Sequence, residues 1–152
     1  MTKLSNKALE IAITQIGQDE KPHGSNWGEP VKTYLASVGI TFPASWCMAF
    51  IYWCFNEAAK ELKVENTAIK SAGVLDVWRK ASKVLTSTLP QNTSIFIMDF
   101  GKGLGHTGIV EKFDDTFIYT IEGNTNDTGS REGIEVCRRK RPRNTIKGYI
   151  NF

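Results

Sequence analysis

Leu9, Ala12, Ile13 and Ile16 recur at the i, i+3, i+4, i+7 spacing of one helix face. Gly17 follows, where a left-handed cap ends a helix, so the pattern predicts a first helix over residues 4–16. A polar loop, QDEKPHGSNWGE, comes next. Pro30, at home in a first helical turn, introduces a second apolar stripe of Val31, Tyr34, Leu35 and Val38 that stops at Gly39. From Trp46 to Phe55 no residue is charged, and the apolar positions follow no single face. That marks a helix surrounded by protein, turning polar at Asn56. Ser71, a candidate N-cap, precedes a further short helix through Val74, Leu75 and Trp78.

After Ser94 the hydrophobic period changes from that of helices to that of strands. SIFIMDF, HTGIVEKF, TFIYTIEG, GIEVCRRKR and KGYINF are separated by Gly, Asn and Asp clusters. Helices first and strands afterwards predict an α+β fold, with N-terminal helices packed on a C-terminal antiparallel sheet of about five to six strands.

Composition narrows this further. With 152 residues, 41% of them hydrophobic, the chain has the apolar content of one domain spanning 1–152 around one core. No internal repeat or low-complexity linker interrupts it. The stretch from Thr33 to Asn56 carries no charge, but Gly39 and Pro43 break it and its continuous apolar part is too short to span a bilayer. The first residues, MTKLSNKALEIAITQIGQ, lack the unbroken apolar core of a signal peptide, so synthesis in a reducing cytoplasm without a leader is expected. The formal charge of +3 is concentrated in RRKRPR, Arg138 to Arg143. Such a run reads first as a basic edge strand that resists pairing with another molecule, and second as a footprint for nucleic acid or another anionic surface.

The three cysteines, Cys47, Cys54 and Cys137, form no CxxC or Cys/His ligand spacing, so neither a disulfide framework nor a zinc site is expected. With Ser45 as N-cap, Cys47 falls in the first turn of the central helix. There, unpaired N–H groups and the helix dipole favour a thiolate. Cys54, seven residues deeper in the same apolar helix, is expected to be inert. Taken alone, Cys47 reads better as a small buried hydrophobe, since free cysteines are commonly core residues.

A thiolate nucleophile needs a base, and only two histidines can supply one. His23 lies in the polar loop and reads as exposed or loop-bracing. His106 begins a strand within GLGHTGIV, where glycines keep neighbouring bulk away. That strand and the next form a hairpin turning at Asp114 and Asp115, which brings His106 beside Glu122 and Asn124. A three-residue turn puts His106 across from Glu122 or Asn124 with the side chains on one face. A two-residue turn would put His106 and Glu122 on opposite faces. A buried imidazole and carboxylate are each costly alone, which favours the first register.

At these residues the chain resembles the CHAP domains, cysteine, histidine-dependent amidohydrolases/peptidases of the papain-like, NlpC-type superfamily. The resemblance rests on SWCMAFIYWC, GHTGIVE, IEGNTN and the closing KGYI, and on a lead-in, IGQDEKPHGSNWGEPVKTYLASVGI, similar to that of a phage- and bacteria-encoded subgroup. It implies a papain-like fold and hydrolysis of peptidoglycan, within its stem or cross-bridge peptide or at the N-acetylmuramoyl-L-alanine amide. Carried over, Cys47 is the nucleophile, His106 the general base and then acid, Glu122 its orienter and Asn124 a further polar residue of the site. Trp46, beside the thiol, is a candidate substrate contact. Ser45 stands where many relatives have proline.

No cofactor is implied. Some relatives hold calcium in a loop of closely spaced Asp residues, whereas Asp19, Glu20 and Glu29 lack that spacing. The expected partner is peptidoglycan, with no membrane and no nucleic acid, and with an immunity protein if the chain is an injected effector. Action on the wall after phage lysis or secretion-system delivery fits such an enzyme. A non-catalytic wall- or polymer-binding module, or a Cys-His protein deamidase or transamidase, are the competing readings.

Overall fold

A computed structural model describes residues 1–125 and 133–152. The first helix, α1, spans Lys3–Thr14 and starts with a capping box: Thr2 Oγ1 accepts from Ser5 N at 2.9 Å, and Thr2 N donates to Ser5 Oγ at 3.0 Å. It buries Leu4, Ala8, Ile11 and Ala12 and ends two residues earlier than the apolar pattern suggests. Gly17, with φ +94°, lies beyond the cap, and its N–H donates to Val136 O at 2.9 Å. The left-handed glycine therefore turns the chain towards the sheet and does not itself close the helix.

Helix α2 (Val31–Ser37) and helix α4 (Val74–Lys80) are short and amphipathic. The N-cap of α4 is Gly73, not Ser71; Ser71 Oγ instead accepts from Gly73 N and donates to Asp76 Oδ2. Between them runs α3, Cys47–Leu62, whose Met48, Ala49, Phe50, Ile51, Cys54, Phe55, Ala58 and Ala59 are all buried. Each large side chain of this set contributes roughly 1.5–3 kcal/mol of burial, which makes α3 the axis of the core. No helix is long and apolar enough to cross a membrane among the described residues.

The sheet comprises β1 (Thr86–Ser87), β2 (Ile95–Gly101), β3 (Leu104–Phe113), β4 (Phe117–Thr125), β5 (Glu135–Pro142) and β6 (Gly148–Ile150). Its order is β1-β6-β2-β3-β4-β5, antiparallel throughout, so the expected α+β architecture with helices on a C-terminal antiparallel sheet is present. Only the two-residue β1 has no counterpart in the hydrophobic pattern, being too short to alternate. Alternation along the strands separates two faces. Ile95, Ile97, Ile109, Ile121, Val136 and Ile150 join the helices in the main core. Phe96, Met98, Val110, Ile118 and Tyr149 form a second cluster.

The β3–β4 hairpin does not have the expected three-residue turn: its last strand pair, Phe113 with Ile118, encloses four residues, within which Asp114 N donates to Phe117 O at 2.9 Å and Asp114 Oδ1 accepts from Thr116 N and Phe117 N, both at 2.8 Å. Next to the turn, Phe113 pairs with Ile118 and Lys112 with Tyr119. A bulge at Glu111 then moves the register by one, so that Val110 meets Thr120 and Ile109 meets Ile121. Continued towards the start of β3, this second register puts Gly108 beside Glu122. Histidine and carboxylate share one face of the sheet, as expected, and meet diagonally, but through a bulge that the turn length does not reveal.

Strand β5 is the outer strand, as the basic run suggests, yet its first half is not bare. Val136 N donates to Gln18 O at 2.8 Å and Glu20 N to Ile134 O at 2.9 Å, which lays the loop after α1 along it.

Candidate active site

Helix α3 begins at Cys47 itself, with Trp46 in the cap position and no side-chain cap. Trp46, and not Ser45, thus takes the cap position that residue type suggested for the serine, which brings Cys47 to the first helical position, where the unpaired N–H groups converge. Cys47 is 5% exposed. Cys54 lies deeper in the same helix, and burial pushes its thiol well above the ordinary cysteine range. No two of the three cysteines are joined in a disulfide.

His106 lies two residues into β3, across from Met98 of β2 and with its ring 6.1 Å from that of Phe96. It is buried, and its Nε2 is 2.7 Å from Glu122 Oε1. Its Nδ1 is buried too and makes no hydrogen bond of ordinary geometry among the described residues. Burial acts to lower the imidazole's pKa, but the polar attraction of the Cys47 thiol and then of Glu122 outweighs it, and the ring is raised to about 9. The thiol, the imidazole and the carboxylate thus form one electrostatic unit drawn from α3, β3 and β4.

Glu122 is buried, and its carboxylate is held by more than the histidine. Arg141 Nε donates to Oε2 at 2.9 Å, Arg141 Nη2 to Oε1 at 2.6 Å and Thr120 Oγ1 to Oε2 at 2.6 Å. Burial alone would raise this carboxyl; the bonds from Arg141 and His106 bring it down to about 2. A glycine makes room for it. A Cβ on Gly108 would stand 2.6 Å from Glu122 Cγ and 2.7 Å from Ile121 O. Gly123 serves the helix side in the same way, since a Cβ there would stand 2.8 Å from the Trp46 ring and 2.9 Å from Phe50.

Asn124 sits at a register shift near the end of β4 with φ +55°. Its side-chain amide is buried and bonds to nothing among the described residues, so Glu122, not Asn124, is the group that grips the imidazole.

Trp46, the candidate substrate contact, is closed off from the surface. It is fully buried, stacked 5.7 Å from Tyr34 and edge-on to Phe50, and its Nε1 donates to Glu20 Oε1 at 2.9 Å. Its indole is large and apolar enough to complete the core beneath the helix start, so it braces Cys47 from inside. Glu20 is itself buried, its other oxygen accepting from Gly24 N at 2.8 Å. Asp19 pairs with the exposed His23 at 2.7 Å, and Glu29 accepts from Thr33 at 2.8 Å. These carboxylates are spread over internal tasks, and among the described residues no group of three or more His, Cys, Asp or Glu could hold a metal ion.

The basic run is also partly internal. Arg138 forms a two-pronged pair with Glu111 at 3.0 Å, Lys140 lies 4.0 Å from the centre of the Phe117 ring, and Arg141 is spent on Glu122. Arg141, Thr120 and Glu20 are the members of this neighbourhood that the sequence did not suggest. Arg141 was hidden within a run that reads as solvated charge, and Glu20 within a polar loop.

A solved structure, that of Ly7917, superposes with a TM-score of 0.55 at 17% identity, covering 97% of this chain and 62% of that one. At that identity the likeness concerns the fold, and this chain spans less than two thirds of that chain's length. No curated protein matches the chain. Residues 39–124 match the CHAP domain, a stretch that contains the helix-start cysteine, the strand histidine and the carboxylate beside it, and the chain belongs to the CHAP-domain family.

Proposed function

We propose that this protein is a cysteine hydrolase that cleaves an amide bond of peptidoglycan, either within the stem or cross-bridge peptide or between N-acetylmuramic acid and L-alanine. The observation that carries the reading is the meeting of Cys47, His106 and Glu122. A thiol at a helix entrance, an imidazole with one nitrogen bonded to a buried carboxylate and a family of thiol hydrolases agree on one chemistry.

In this mechanism Cys47 Sγ, having passed its proton to His106, attacks the carbonyl carbon, and the carbonyl oxygen takes up the negative charge. The N–H of Cys47 and the start of α3 face that oxygen. His106 gives its proton to the leaving amine as the C–N bond breaks, which leaves an acyl group on sulfur. Water then attacks the thioester, His106 accepts its proton, and the thiolate departs with the acid released. Glu122 fixes the ring through Nε2, so that Nδ1 is the nitrogen that exchanges protons. The place of action that accompanies this reading is the cell wall, reached after phage lysis or delivery by a secretion machine.

Digestion of defined peptidoglycan fragments with wild type and with Cys47→Ala, followed by mass spectrometry, tests the proposal. New peptide ends identify an endopeptidase, and free stem peptides an amidase; Cys47→Ala should yield neither. Intact fragments under conditions where the protein deamidates or cross-links a protein glutamine would replace this reading with acyl transfer on proteins.

A further inference from the structure

We propose that Arg141 is a positioning residue, which locks the Glu122 carboxylate in the one orientation that steers His106. The inference rests on the Cys-His hydrolase reading above and adds to it a residue outside the three that do the chemistry.

A carboxylate offers about four acceptor positions, two on each oxygen. On Glu122 all four are taken: Oε1 accepts from His106 Nε2 and Arg141 Nη2, and Oε2 accepts from Arg141 Nε and Thr120 Oγ1. Turning the carboxylate about its own axis would break the paired bonds from Arg141 at once. With the histidine alone, the same group could rotate freely and take the imidazole with it. The guanidinium is suited to this because its two nitrogens form a rigid fork that matches the two oxygens, which a lysine cannot do.

The way Arg141 is placed supports a dedicated role. On β5 it stands opposite Ile118, and Arg139 opposite Thr120, so its side chain shares the face of β4 that carries Thr120 and Glu122. From there it reaches along the strand to the carboxylate. Its side chain is 11% exposed, against 56% for Arg138 in the same run. Covering a guanidinium is costly without an anion, and Glu122 is the anion with which Arg141 makes two bonds. The carboxylate benefits in turn. His106 and Arg141 are two cations on one buried anion, so the ion pair stays charged with or without the proton on the imidazole.

The experiment compares Arg141→Gln, Arg141→Lys, Glu122→Gln and the double variant Glu122→Gln/Arg141→Gln, with Arg138→Gln as a control for lost surface charge. Two quantities are read: kcat and KM on purified peptidoglycan, and the rate of Cys47 alkylation by iodoacetamide from acid to alkaline pH. Arg141→Gln should lower kcat by roughly 10²-fold with KM little changed, the size of effect expected from a misplaced catalytic group. Arg141→Lys should recover part of that loss, and Arg138→Gln should match wild type. The double variant should fall no further than Glu122→Gln alone, and the alkylation profiles of all variants lacking either partner should coincide. Should Arg141→Gln not fold, Arg141→Lys carries the same comparison, since it keeps the charge and removes the fork.

Wild-type kcat and a wild-type alkylation profile in Arg141→Gln overturn the proposal, as does full additivity with Glu122→Gln. Alkylation requires no substrate. A protein that leaves peptidoglycan intact but shows the shared profile therefore removes the substrate reading and leaves Arg141 in its place.

Discussion

His106 Nε2 and Glu122 Oε1 lie 2.7 Å apart inside the protein, the imidazole raised to about 9 and the carboxyl lowered to about 2. Both shifts link folding to protons. A histidine raised from 6.5 to about 9 adds stability that is fully present below 6.5 and is lost as pH rises through about 9. A glutamate lowered from 4.5 to about 2 adds stability that is present above 4.5 and is lost as pH falls through about 2. Thermal unfolding should therefore be most resistant between 4.5 and 6.5 and decline on both sides. Glu122→Gln should flatten both slopes, and a variant that keeps the alkaline slope unchanged would separate His106 from this carboxylate.

Gly108 gives a prediction that depends on space alone. Alanine there would bring a Cβ to 2.6 Å from Glu122 Cγ, 2.7 Å from Ile121 O and 2.8 Å from the Phe96 ring. A backbone oxygen cannot step aside, so the carboxylate must. Gly108→Ala should cost about 1–3 kcal/mol of stability and also reduce kcat by displacing Glu122. Gly103→Ala is the contrast, because that position has φ +75° and open space around it. It should cost about 1–2 kcal/mol from backbone strain and leave kcat unchanged. Equal kcat in the two variants would show that Glu122 has more room than the packing indicates.

The parts of this site that were legible in the sequence are those held by local rules. The uncharged run from Trp46 placed Cys47 at a helix start, and period-two alternation with a short turn placed His106 near Glu122. The choice between Glu122 and Asn124 depended on a side-chain bond at a strand end, where Asn124 has a left-handed backbone that alternation does not foresee. Arg141 lay further out of reach. Nothing in RRKRPR tells which of its arginines reaches the buried carboxylate, because Arg139 and Arg141 alternate onto the same face of the strand. Trp46 failed as a substrate contact for a related reason: adjacency to Cys47 in sequence does not tell which side of the helix entrance an indole takes.

Cys47 and Cys54 offer an internal comparison, being two turns apart on α3. Both are nearly inaccessible, at 5% and 1% exposure, so access alone separates them little. Their surroundings differ more: Cys47 stands at the helix entrance beside an imidazole whose pKa is raised, whereas burial holds the Cys54 thiol well above its ordinary range. Iodoacetamide near neutral pH should modify Cys47 first, as read by peptide mapping, and His106→Ala should slow that modification. Cys47→Ala should unfold within about 1 kcal/mol of wild type while losing all hydrolysis. Modification of Cys47 and Cys54 at the same rate would remove the basis for a nucleophile at the helix entrance.

Trp46→Phe separates bracing from substrate contact. The substitution keeps an aromatic ring under the helix start but removes the Nε1 donor and leaves Glu20 Oε1, buried, without its 2.9 Å bond. An orphaned buried acceptor costs about 1–3 kcal/mol, so unfolding should shift by that amount. Glu20 joins the loop after α1 to the entrance of α3, and loosening it moves Cys47 relative to His106. The kinetic effect should therefore fall on kcat, with KM close to wild type. Combining Trp46→Phe with Glu20→Gln should cost less than the two changes added together, because one bond accounts for part of both. A raised KM with undiminished stability would instead return the indole to the substrate side, against its burial among Tyr34, Phe50 and Gly123.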